Sequence, residues 1–121
     1  MKKELDLVKE FHKKIQSPIE VKPIIPEKDR TDLRYRLIKD ELEEYQKGVN
    51  NKDLENIAKE LADILFATYG TILEHGLQDK MEEIFAEVHR SNMSKDYGKY
   101  KAVKGKDYVE ADIKKVLGEK K

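Results

Sequence analysis

The stretch ELADILFATYGTILEHG, residues 60–76, holds a single charge, Asp63, between Leu61 and Leu73. A helix so apolar nearly all round belongs in an interior, so this segment is expected to be the most buried element of the fold. Its pattern predicts a helix from about Asp53 to His75, stopped by Gly76, since glycine takes the left-handed conformation that ends helices. Glu60 and Asp63 are three residues apart and therefore share a face. The same stripe continues through Ala67 and Gly70, whose small side chains leave room beside the two acids.

The preceding segment, RLIKDELEEY at residues 36–45, repeats the anomaly. On a helical wheel, Leu33, Leu37, Ile38, Leu42 and Tyr45 define the arc expected to be buried. Glu41 and Glu44 fall inside that arc, Asp40 lies at its edge, and Glu43 points to water. A buried lone carboxylate is costly and must protonate or find a partner. Two acidic pairs, Glu41/Glu44 and Glu60/Asp63, on facing helices would repel each other, and a divalent cation resolves the repulsion. Oxygen donors without cysteine favour Mg²⁺, or Mn²⁺, over zinc. The alternative is that the acids pair with Arg30, Arg34 or Arg36, or lie on a solvated edge. A di-iron carboxylate bundle would need Glu-x-x-His. The residues three before His12, His75 and His89 are Lys9, Ile72 and Ala86, so that motif is absent.

Around these two segments the chain reads as helices with short connections. Residues 2–16 form an amphipathic helix with Leu5, Val8, Phe11 and Ile15 on its apolar side and His12 adjoining them. All three prolines fall between Pro18 and Pro26, which marks a linker. The second helix is expected from about Arg30 to Lys47, stopping at Gly48. A fourth opens at Asp79, where Asp79-x-x-Glu82 has capping-box spacing, and runs to about Ser94. Its core stripe of Ile84, Phe85 and Val88 continues as Ser91, Asn92 and Lys95, groups suited to a phosphate and to a base or sugar. Residues 96–107 read as irregular or as a small hairpin, and 108–117 as a short last helix. The expectation is an all-α chain, one domain over residues 1–121, built as an antiparallel four-helix bundle with a short C-terminal extension.

Composition narrows the function. The 121 residues are 41% charged, with 25 basic and 25 acidic side chains and no cysteine. Zero net charge excludes a general polyanion-coating role, and the lack of cysteine excludes disulfides, zinc fingers and a thiol nucleophile. No apolar run is long enough to span a membrane. The opening Met1-Lys2-Lys3-Glu4 has no apolar signal region, so the expected location is the cytoplasm, with no nucleic-acid or membrane partner. From Lys95 to Lys121 there are nine lysines and five acids, a net of +4 that leaves −4 on the rest. An acidic body with a basic tail suits a site handling both a cation and an anion.

Taken in order, these segments resemble the all-α nucleoside triphosphate pyrophosphatases, the MazG-like and phosphoribosyl-ATP pyrophosphatase-like proteins. The signature E-x-x-E followed by E-x-x-D reads here as Glu41-Leu-Glu-Glu44 and Glu60-Leu-Ala-Asp63, with AEVHRSNMSK on the next helix. The likeness runs from Phe11-His12 to about Ile113. It implies hydrolysis of a nucleoside triphosphate at the α–β anhydride, giving the monophosphate and pyrophosphate, in a branch that clears non-standard or surplus nucleotides such as dUTP. Glu41, Glu44, Glu60 and Asp63 would hold Mg²⁺ with Asp40 assisting, and Glu41 or Asp40 would serve as general base. Lys95, Lys101 and Lys104 are the candidates for the β and γ phosphates, and Asn92 for sugar or base. Phe11 and His12 are candidates to face the base. The resemblance further implies a homodimer or a dimer of dimers. Two other readings share the acidic pattern: a phosphoribosyl-ATP pyrophosphatase of histidine synthesis, and a non-enzymatic helical module that binds a cation.

Overall fold

The computed structural model describes residues 1–118. The chain is all-α: among the described residues there are five helices and no strand. They are α1 (Lys2–Ile15), α2 (Lys28–Asn50), α3 (Leu54–Glu74), α4 (Met81–Met93) and α5 (Ile113–Leu117). None of the helices among the described residues is long and apolar enough to cross a membrane. The chain divides into two compact units, Met1–Gln78 and the residues from Asp79 onward.

In the first unit α3 packs against both α1 and α2, as its apolar sequence requires. The Asp53 side chain accepts a hydrogen bond from the Asn56 N–H and caps the start of α3. The proline-bounded segment 18–26 crosses the other end of α3. There the Glu20 N–H donates to the Leu73 carbonyl at 3.0 Å, and the Ile24 N–H to the His75 carbonyl at 2.9 Å. The buried apolar cluster is small, consisting of Leu5, Val8 and Leu73, with Met1, Tyr69 and Ile72 against it.

Several expectations need correction. Helix α2 does not stop at Gly48 but runs on to Asn50. Gly48 serves close packing: a Cβ there would stand 3.0 Å from Asn56 Nδ2 and 3.1 Å from Ile57 Cγ1. The turn comes at Lys52, with φ at 52°. Helix α4 opens at Met81 with no side-chain cap bond, so Asp79 lies before the helix and does not cap it. On α1 the buried stripe is Leu5, Val8 and His12, while Phe11 and Ile15 are exposed. The arc that should be greasy on α2 and α3 is largely bare, with Leu37, Leu42, Leu61, Leu65 and Phe66 all exposed.

The second unit pairs α4 with α5. Glu87 organises it, taking Arg90 Nη2 at 2.6 Å and the Asp112 N–H at 2.7 Å. Arg90 first, and then the Asp112 amide, hold the Glu87 carboxyl down at about 2. Asp112 in turn caps α5 through the Lys115 N–H. Residues 96–103 form the small hairpin, closed by one antiparallel bridge between Asp96 and Val103.

Candidate active site

Helices α2 and α3 bring Glu41, Glu60 and Asp63 together, with one carboxylate oxygen of each within 4.8 Å of the others. Helical spacing sets Glu60 and Asp63 on one face, and the packing of α2 on α3 sets Glu41 opposite them. Glu60 is 5% exposed, and its Oε2 is buried without a hydrogen-bond partner. Lys59, on the exposed rim, reaches Asp63 Oδ2 at 2.7 Å and Glu60 Oε1 at 3.6 Å. An orphaned buried oxygen beside two further carboxylates is an all-oxygen donor set, which fits Mg²⁺ or Mn²⁺.

The crowding raises the Glu41 carboxyl to about 7, first through the proton it shares with Glu60, then through burial and the charges of Glu60 and Asp63. Between the ordinary value near 4.5 and about 7 the folded chain therefore binds more protons than the unfolded one. Stability must fall as pH rises through that window. The metal-free protein is expected to lose stability as pH rises from 4.5 to 8. Thermal melts in EDTA across this range check the slope, and Glu41→Gln should flatten it.

A cavity of about 450 Å³ opens beside the carboxylates, with Glu41 and Asp63 in its wall. Phe11, Ile15, Leu33, Leu37, Phe66 and Ala67 supply its apolar lining. Phe11 and Phe66 meet edge to face with centroids 5.3 Å apart. Arg30, Arg34 and His12 form the polar wall. His12 is buried and its Nδ1–H donates to the Pro18 carbonyl at 3.0 Å.

That polar wall is anchored by Glu74, which is fully buried. Arg30 donates to it twice, at 3.0 and 2.8 Å, and Arg34 once, at 3.1 Å. Arg34 also donates to Thr71 Oγ1 and to the Ala67 carbonyl. Burial pulls the Arg34 guanidinium down, while the hydrogen bonds to Glu74 push Arg30 up. Gly70 makes the arrangement possible, because a Cβ there would strike Arg34 Nη2 and come within 2.8 Å of His12 Nε2. So Arg30 and Arg34 do have a carboxylate partner, but it is Glu74 and not the signature acids. The sequence carries no signal for this beyond a lone acid at the end of an apolar helix.

The remaining candidates are placed as follows. Glu44 is half-buried and paired with Lys47 at 3.1 Å, outside the trio. Asp40 is exposed and also outside it. Asn92, Lys95, Lys101 and Lys104 belong to the second unit. The Lys95 N–H donates to the Asn92 carbonyl at 3.0 Å just past α4. Lys101 is exposed on the hairpin, and the Lys104 ammonium stands 5.0 Å over the Tyr108 ring.

An all-helical chain that gathers three carboxylates between two packed helices carries an oxygen donor set suited to a divalent cation. Residues 8–92 match the phosphoribosyl-ATP pyrophosphohydrolase family, more than half of the chain. The chain belongs to that family, within the all-α MazG-like nucleoside triphosphate pyrophosphatases, and is a pyrophosphohydrolase acting on phosphoanhydride bonds. No curated protein matches it in sequence.

Proposed function

We propose that the chain is a Mg²⁺-dependent nucleoside triphosphate pyrophosphohydrolase that splits the α–β anhydride and clears non-standard or surplus nucleotides such as dUTP. The observation that carries this reading is the Glu41, Glu60 and Asp63 trio with its orphaned Glu60 oxygen. Glu41, Glu60 and Asp63 would hold the ion, and Glu44, one turn on from Glu41 and now paired with Lys47, would be the fourth ligand. Asp40 assists beside Glu41. A bound Mg²⁺ or Mn²⁺ would offset phosphate charge and acidify the attacking water. Glu41, which faces Glu60 and Asp63 across the site, would take the proton from that water as general base. Asp40 is the second candidate for that base.

The cavity lined by Phe11, Phe66 and His12 seats the nucleoside while the phosphates lie over the carboxylates. In the second unit, Lys95, Lys101 and Lys104 are our candidates for the β and γ phosphates and Asn92 for the sugar or base. A second copy of the chain covers exposed apolar side chains of α2 and α3 such as Leu42, Leu61 and Leu65, making a dimer or a dimer of dimers. The location is cytoplasmic.

The family match supports phosphoribosyl-ATP as the substrate equally well. Pyrophosphate release should therefore be followed over dUTP, the common and modified triphosphates, and phosphoribosyl-ATP, with and without Mg²⁺. Mg²⁺-dependent release, greatest with dUTP or a modified triphosphate, is expected. Greatest release from phosphoribosyl-ATP would move the substrate to histidine synthesis. No release from any of them would leave a cation-binding helical module.

A further inference from the structure

The ammonium of Lys59 stands where a metal ion would compete with it. It lies 2.7 Å from Asp63 Oδ2 and 3.6 Å from Glu60 Oε1, and so touches two of the three carboxylates of the trio. Asp63 is four residues along α3 from Lys59, so the helix itself delivers the lysine to the acid. The trio needs such a charge: Glu60 is buried, and its second oxygen has no hydrogen-bond partner. The lysine side chain is 69% exposed, so it can leave for water at little cost. Glu60 and Asp63, by contrast, are held in place by α3 and its packing on α2.

We propose that Lys59 is a built-in counter-ion of the acidic trio, occupying it in the metal-free chain and giving way when a divalent cation enters. The proposal rests on the metal-binding reading of the trio. Lys59 does two things at once. It lowers the repulsion among the carboxylates when no metal is present, and it competes with the metal for Asp63 Oδ2. An ammonium so close repels an incoming divalent cation and occupies one of the lone pairs that Asp63 could offer it. Competition outweighs pre-organisation here, because the helix already fixes the acids and the lysine adds only a solvent-screened contact. Lys59 is thus a positioning residue that sets metal affinity.

The test is direct Mn²⁺ binding to the substrate-free full chain, read from the loss of the free-ion electron paramagnetic resonance signal, with melting temperatures in EDTA alongside. Lys59→Met should bind Mn²⁺ about fivefold more tightly, the most that one exposed ion pair commonly supports. It should also melt lower than wild type in EDTA. Lys59→Arg keeps the charge and should restore the wild-type affinity. Lys28→Met removes a lysine paired with Asp32 on the outer surface of α2 and should change neither readout. Unchanged or weaker binding in Lys59→Met, beside normal binding in wild type, would overturn the counter-ion role and leave the metal site standing. Absence of stoichiometric binding in wild type would overturn both.

Discussion

Glu74→Ala is expected to destabilise the protein by about 3–5 kcal/mol, because it strands a buried guanidinium without its counter-charge. Glu74 is fully buried and receives three hydrogen bonds from Arg30 and Arg34. Arg34 is buried as well and cannot turn to water when the carboxylate goes. Arg30 is more accessible, so Arg30→Ala should cost clearly less. The loss in Glu74→Ala is comparable to the whole stability of a small domain, typically about 5–15 kcal/mol. Urea unfolding followed by circular dichroism gives the difference directly. A cost below about 1 kcal/mol would mean that the network is water-filled and contributes little. Because Arg30 and Arg34 also line the cavity, a surviving fraction of Glu74→Ala should bind nucleotide poorly.

Asp63→Ala and Glu60→Gln are expected to lower turnover by about a thousandfold or more while leaving the fold intact, since losing a metal ligand removes several kcal/mol of transition-state stabilisation. The trio repels itself without metal, so removing one charge relieves strain in the metal-free chain. Melting temperature in EDTA should hold or rise, and the increase that Mg²⁺ produces in wild type should vanish in both variants. Glu43→Ala is the control, because Glu43 is exposed and stands outside the trio. Glu44→Ala separates a three-carboxylate shell from a four-carboxylate one. A loss matching Asp63→Ala makes Glu44 a ligand, whereas a loss under about tenfold leaves it to Lys47. Retention of more than a tenth of the activity in both Asp63→Ala and Glu60→Gln would remove the trio from the metal shell.

Much of this was legible in the residues alone. Helical periodicity and capping are local properties, so α1 and α3 fall within a residue or two of the spans read from the sequence. The pairing of Glu60 with Asp63 on one face follows from helix geometry and needs no tertiary information. The wheel of α2 likewise turned Glu41 inward and Glu43 outward. The family signature joined these local facts into one chemistry.

Three matters belonged to the tertiary structure. Gly48 has the composition of a stop signal, yet packing against Asn56 and Ile57 uses its missing side chain and lets α2 continue. On α1 the choice between Phe11 and His12 for burial turned on the Pro18 carbonyl that receives the His12 N–H, a contact no helical period encodes. Glu74 finds Arg30 and Arg34 from 44 and 40 residues away, where only the packing of α2 on α3 can bring them together. The same division explains Glu44. Its inward angle was a sequence property, but its partner is Lys47, three residues on, because a neighbouring ammonium is always within reach while a facing helix must be brought there by the fold.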